Sequence, residues 1–136
     1  MADARRERGL LDTSVLLDLD EIDASDLPIE VAISSITMAE LAAGPHATNH
    51  PDERARRQDR LQRAEAAFDP LPFDGEAARA YGRVFASVMA AGRKARGARA
   101  VDLLIAAAAI SAGLPVYTRN GDDFRALDDL VEVVVV

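Results

Sequence analysis

The sequence predicts an α/β fold, a central and mostly parallel sheet flanked by helices. Three observations carry that prediction. Short aliphatic or β-branched runs at 9–11, 31–35, 115–117 and 131–136 alternate with stretches of helical periodicity. Residues 101–112 are apolar nearly all round apart from Asp102 and Ser111, the pattern of a helix covered on every side. The chain has 136 residues, 49% hydrophobic and 29% charged, a composition that can bury a core without disulfide or metal staples.

In chain order, residues 1–8 form a polar N-terminal extension to one domain spanning 1–136. The strand at 9–11 ends at Asp12, and Thr13-Ser14 turns into a short helix carrying Val15, Leu16, Leu17 and Leu19. The acidic stretch 18–26, closed by Pro28, is a loop. Residues 31–35 have the β-branched character of a buried strand. Thr37 then caps a helix bearing Met38, Leu41 and Ala42, which must stop near Gly44-Pro45 because proline cannot continue it. After a loop at 46–51, Pro51-Asp52-Glu53 opens a second helix, with stripe Leu61, Ala64 and Phe68.

Asp69-Pro70 breaks that helix, and 71–73 fit a short strand. Asp74 caps a long helix whose stripe, Ala77, Tyr81, Val84, Phe85 and Val88, belongs to the core or to a dimer interface. The covered helix at 101–112 leads to a strand at 115–117 that ends at Thr118. A short helix or turn at 121–127 and a terminal strand at 131–136 complete the chain.

Composition excludes several functions. Cysteine is absent, which removes disulfides, thiolate metal sites and a cysteine nucleophile. No apolar run approaches the ~18 residues of a membrane span, and Leu10-Leu11 is cut short by Asp12, too soon for a secretory signal. A cytoplasmic location is the simplest expectation. The net charge of −7 argues at first against nucleic acid, but a carboxylate site filled by divalent cations takes part of its potential from those ions. Basic residues also gather at Arg54, Arg56, Arg57, Arg60 and Arg63, and again at Arg93, Lys94, Arg96 and Arg99.

Four acids share one address in this arrangement. Asp12 ends the first strand, Glu40 begins the helix after the second, Asp102 begins the covered helix, and Asp123 follows the strand at 115–117. The carboxyl ends of parallel strands form the crevice where such sheets bind ligands. Carboxylates meeting there repel one another unless a cation sits between them, and Mg²⁺ or Mn²⁺ suits oxygen ligands. Local readings compete: Thr37-x-x-Glu40 is a capping-box pattern, and Asp102 would complement a helix dipole. Asp102 resists its local reading best, because an unbroken apolar run follows it. Asp18-x-Asp20 begins a calcium loop but lacks its glycine and its final acid, and His46 and His50 lie among prolines.

Four segments occur together and in order: Leu11-Asp12-Thr13-Ser14-Val15-Leu16, Ser35-Ile36-Thr37-Met38-Ala39-Glu40-Leu41, Asp102-Leu103-Leu104-Ile105-Ala106-Ala107, and Thr118-Arg119-Asn120-Gly121-Asp122-Asp123-Phe124. They closely resemble PIN domains, specifically the VapC-like toxins of bacterial toxin–antitoxin pairs. The resemblance runs from about Gly9 to the C-terminus and implies the PIN-like three-layer fold. It also implies an endoribonuclease dependent on Mg²⁺ or Mn²⁺, held inactive by a small VapB-like antitoxin and assembled as a homodimer. Asp12, Glu40 and Asp102 match the family's metal-binding acids, and Asp123 matches the fourth through Asn-x-x-Asp-Phe, with Asp122 and Asn120 as alternatives. Thr13, Ser14 and Thr118 match its small hydroxyl positions, and Asn120 is placed to orient a ligand or water. By their clustering, the arginine groups at 54–63 and 93–99 are candidates for contact with the RNA backbone, Arg93, Lys94, Arg96 and Arg99 first among them. Two other functions remain in view: a PIN-fold housekeeping nuclease without an antitoxin, and a phospho-accepting receiver-like domain. The latter wants a lysine after a late strand, whereas the single lysine, Lys94, precedes the covered helix.

Overall fold

The computed structural model describes residues 5–136, so the first four residues of the 1–8 extension lie outside them. Strands β1 (Arg8–Leu11), β2 (Glu30–Ala32), β3 (Val116–Thr118) and β4 (Val133–Val135) form one sheet in the order β2-β1-β3-β4. Every pairing in it is parallel, with Leu10 opposite both Ala32 and Val116. The helices are α1 (Thr13–Leu17), α2 (Ser35–Ala43), α3 (Pro51–Ala67), α4 (Gly75–Ala90) and α5 (Ala98–Ala112), joined in places by 3-10 turns.

Side chains alternate across a strand, so a sheet covered on both faces divides its apolar residues between two cores. Leu10 and Val116 join Val84, Val88, Leu103 and Phe124 under α4, α5 and the 3-10 turn Gly121–Leu127. Leu11 and Tyr117 face the other way, against Val15, Leu41, Leu61 and Ala64 of α1, α2 and α3. These are the three layers the sequence predicts.

Gly9 of β1 is needed for that packing. A Cβ there would stand 2.4 Å from Cε1 of Tyr117 and 3.0 Å from Cγ of Pro28. The Tyr117 ring is only 2% exposed and cannot swing clear. Gly9→Ala should therefore cost about 1–3 kcal/mol through overpacking, read as a lower denaturation midpoint with an unchanged slope. An unchanged midpoint would show that the ring yields freely.

Several local expectations change. The first strand begins one residue earlier than 9–11, at Arg8, and Arg5 before it donates to the carbonyls of Leu27 and Ala24. β2 is shorter than 31–35 and lies at the sheet edge with Val31 exposed, while Ile33 and Ser34 beyond it are buried. The 71–73 strand reduces to a single parallel bridge between Leu71 and Ser34, since Pro70 and Pro72 offer no amide to a ladder. In α4, Ala77, Val84 and Val88 are buried as expected, but Phe85 is 42% exposed.

Candidate active site

All four acids lie at the carboxyl-terminal rim of the sheet, each held by a different element. Asp12 follows β1 and caps α1, its Oδ1 accepting from the Val15 amide at 3.1 Å and from the Ser14 hydroxyl at 2.6 Å. It is 3% exposed, and its own amide donates to the Tyr117 carbonyl at 3.0 Å. Ser14 in turn accepts from the Arg119 amide at 3.1 Å, tying α1 to the end of β3.

Glu40 is positioned otherwise than its capping-box pattern suggests. Ser34, not Thr37, caps α2 by accepting from the Thr37 amide at 3.1 Å. Glu40 thus falls in the second turn and cannot reach back to the cap; Thr13 hydrogen-bonds its Oε1 instead. The Thr13 and Thr37 hydroxyls are 3.0 Å apart, which links the first helix to the second behind Glu40. Sequence reasoning missed Ser34 and the Thr13–Thr37 contact, because both depend on which hydroxyl of Ser34-Ser35-Ile36-Thr37 meets the strand end.

Asp102 lies on the fifth residue of α5, in its second turn. Its carboxyl is pushed up to about 7, first by burial and then by the charges of Asp12, Asp123 and Glu40, with Arg99 opposing. Those causes put Asp12, Asp123 and Glu40 within electrostatic reach of Asp102. Asp122 is absent from them: its carboxylate pairs with Arg125 at 2.5 Å and its carbonyl accepts from Arg93 at 2.6 Å. The half-buried Asp123 lies 4.0 Å from Arg99.

Thr118 is fully buried, and its hydroxyl accepts from the Asn120 amide at 3.0 Å, fixing the turn rather than touching an acid. Asn120 is exposed at the start of the 3-10 turn and makes no side-chain cap. Lys94 and Arg96 are exposed between α4 and α5. The α3 arginines mostly face acceptors of this chain. Arg54 donates to the carbonyls of Pro45 and Thr48, Arg57 to Glu53 and the carbonyl of Gly44, Arg56 to Glu53, and Arg63 pairs with Asp59.

The donor set is carboxylate and hydroxyl oxygen, the chemistry a hard divalent cation takes. A desolvated carboxyl pressed by three others fits such a cation, since it gains most from a neighbouring positive charge. As they lie, no three acid or histidine side chains among the described residues stand close enough to grip an ion together. Asp12 and Glu40 are turned to their hydroxyl and amide donors.

The PIN domain family model matches residues 9–130. The chain belongs to the PIN domain family. This PIN domain is 38% identical to Ribonuclease VapC5 of Mycobacterium tuberculosis over 131 residues, covering 94% of this chain and 93% of the relative. In three dimensions it is similar to a VapBC family member, the toxin–antitoxin system VapBC-5 of the same organism. There the TM-score is 0.84 with 39% identity over 96% of this chain and 99% of that one. VapBC2 from Rickettsia felis, solved with a promoter DNA fragment, shares the fold: TM-score 0.73 at 23% identity, over 93% of this chain and 98% of that one. No helix of the described PIN domain is long and apolar enough to cross a membrane.

Proposed function

We propose that this PIN domain is an endoribonuclease dependent on Mg²⁺ or Mn²⁺ and serves as the toxin of a toxin–antitoxin pair. The observation that carries the nuclease reading is the Asp102 carboxyl, raised by burial and by three acids that arrive from other parts of the chain. The likeness to Ribonuclease VapC5 supports RNA as the substrate class, and the likeness to VapBC-5 supports a VapB-like antitoxin as partner. Residues 1–136 act as one domain in the cytoplasm, paired as a homodimer.

Asp12, Glu40, Asp102 and Asp123 would hold the ion. When bound, it supplies a water acidified toward neutral pH and polarises a phosphoryl oxygen. Ser14 and the Val15 amide pre-orient the Asp12 carboxylate, and Thr13 does the same for Glu40. Asp102 gives up its carboxyl proton only near neutrality, so ligation through it strengthens as pH rises toward 7. Thr118 steadies the turn that presents Asn120 at the rim, where its amide can orient water or phosphate. Arg93, Lys94 and Arg96 in the α4–α5 turn, and Arg99 on α5, supply contacts to the RNA backbone.

The test is incubation of the purified protein with labelled structured RNA, in Mg²⁺, Mn²⁺ or EDTA. Discrete fragments in either ion and intact RNA in EDTA are expected. A folded protein that leaves a broad RNA panel intact in both ions would end the nuclease reading.

A further inference from the structure

We propose that Arg99 is a catalytic residue of this site, gripping the non-bridging oxygens of the scissile phosphate rather than adding general affinity for RNA. This rests on the nuclease reading above and separates Arg99 from the basic residues that precede it.

Arg99 is the second residue of α5, three before Asp102 and therefore on the same side of the helix one turn away. Its Nε is buried and has no hydrogen-bond partner among the described residues. Its Nη2 lies 4.0 Å from Oδ1 of Asp123, beyond hydrogen-bond reach. Other guanidinium groups drawn into the fold are satisfied by it: Arg54 and Arg57 donate to backbone carbonyls, and Arg93 donates to the carbonyl of Asp122 at 2.6 Å. Buried donors left without a partner are rare and call for an explanation. Here the unsatisfied donor is the Nε of a guanidinium whose side chain is 31% exposed, so its outer nitrogens face solvent beside Asp123 and are open to an incoming anion.

Charge says what would use them. A phosphodiester is an anion, and the rim carries four carboxylates. One divalent ion leaves that rim net negative, so an approaching phosphate is still repelled. Arg99 is the positive charge at the edge of this cluster, 4.0 Å from the Asp123 carboxylate and one helical turn before Asp102. Guanidinium matches two phosphate oxygens with parallel hydrogen bonds. In the hydrolysis, water oxygen bonds to phosphorus as the P–O3′ bond breaks, and one proton of that water ends on the released 3′ oxygen. Arg99 stays protonated throughout. The phosphoryl group is where charge is redistributed, so a grip on its oxygens acts mainly on kcat. Lys94 and Arg96, exposed on the preceding turn, act on affinity and salt dependence.

The experiment compares wild type with Arg99→Met and Arg99→Lys. Steady-state cleavage of one RNA is measured, together with fluorescence anisotropy of the same labelled RNA in EDTA, where the nuclease reading keeps it intact. Arg99→Met should lower kcat by about 10²–10³-fold, the scale for losing one preorganised donor. KM and RNA affinity should stay within about threefold of wild type, the signature of a contact made in the transition state. Arg99→Lys keeps the charge without the fork and should recover only part of kcat, which also preserves the test if the methionine variant fails to fold. A kcat within about threefold of wild type in either folded variant overturns the assignment and leaves the nuclease reading intact. So does an affinity loss that matches the rate loss. A wild type inert in both metals overturns the nuclease reading and the role of Arg99 together.

Discussion

Asp102→Asn is expected to abolish metal-dependent cleavage while making the metal-free protein more stable. The two effects share one cause. The Asp102 carboxyl is half-buried and feels the charges of Asp12, Asp123 and Glu40, so its ionised form is disfavoured in the folded chain. With the folded pKa at about 7 and the ordinary value of an aspartate at 3.8, folding favours the protonated acid. That contribution is complete below about pH 4 and is lost as pH rises toward 7. Solvent screens the repulsion at this half-buried group, and the contribution is about 1–2 kcal/mol. Asparagine carries no charge to be repelled, so in EDTA the variant should melt higher than wild type at pH 8 and equally at pH 4. Added Mg²⁺ should raise the melting temperature of wild type and leave the variant nearly unmoved, since ligand binding stabilises only the form that binds it. Cleavage should fall at least ~10³-fold, about 4 kcal/mol in the barrier. Full activity in the variant would remove Asp102 from the site, and a variant that melts lower at pH 8 would refute the electrostatic account.

Asp102 stood out in the sequence because an unbroken apolar run follows it, and a helix dipole alone is a weak reason to keep a carboxyl there. Asp74 was legible too, capping α4 through the Ala77 amide as its position before a periodic stripe suggests. So was the end of α2 at Ala43, just before Gly44-Pro45. These signals are local, and local chemistry decides them. Where two local signals competed, tertiary contacts chose. Ser34, Ser35 and Thr37 all offer a capping hydroxyl, but Ser34 lies in the bridge to Leu71 with extended backbone, the conformation a cap requires. That choice moves Glu40 away from the cap and onto Thr13. The arginines of α3 show the same limit: their clustering is visible in sequence, whereas the carbonyls of Gly44, Pro45 and Thr48 that receive them belong to a preceding turn. The edge position of β2, and with it the exposure of Val31, follows from strand order, which no local pattern encodes.

Asp12 should respond to substitution in the opposite sense to Asp102. Its carboxylate already receives the Ser14 hydroxyl and the Val15 amide, and it caps a helix of five residues that has little else to start it. Asp12→Ala removes cap and charge together. It should cost about 1 kcal/mol of stability, the usual loss for an N-cap, plus the unsatisfied donors left behind in a nearly buried site. Asp12→Asn keeps an oxygen that can accept from the amide, so its stability should stay close to wild type, yet it cannot supply a carboxylate to a cation. Both variants should lose at least ~10²-fold in cleavage, the scale of disrupting a metal site, while only alanine lowers the melting temperature clearly. The paired measurement separates what Asp12 does for the fold from what it does for chemistry. Equal melting temperatures for the two variants would show that α1 does not depend on its cap. A cleaving Asp12→Asn would show that the rim assembles its charge without this residue. The contrast with Asp102 is physical: one acid is held by donors that reward its charge, and the other is pressed by acids that oppose it, though both face the same rim.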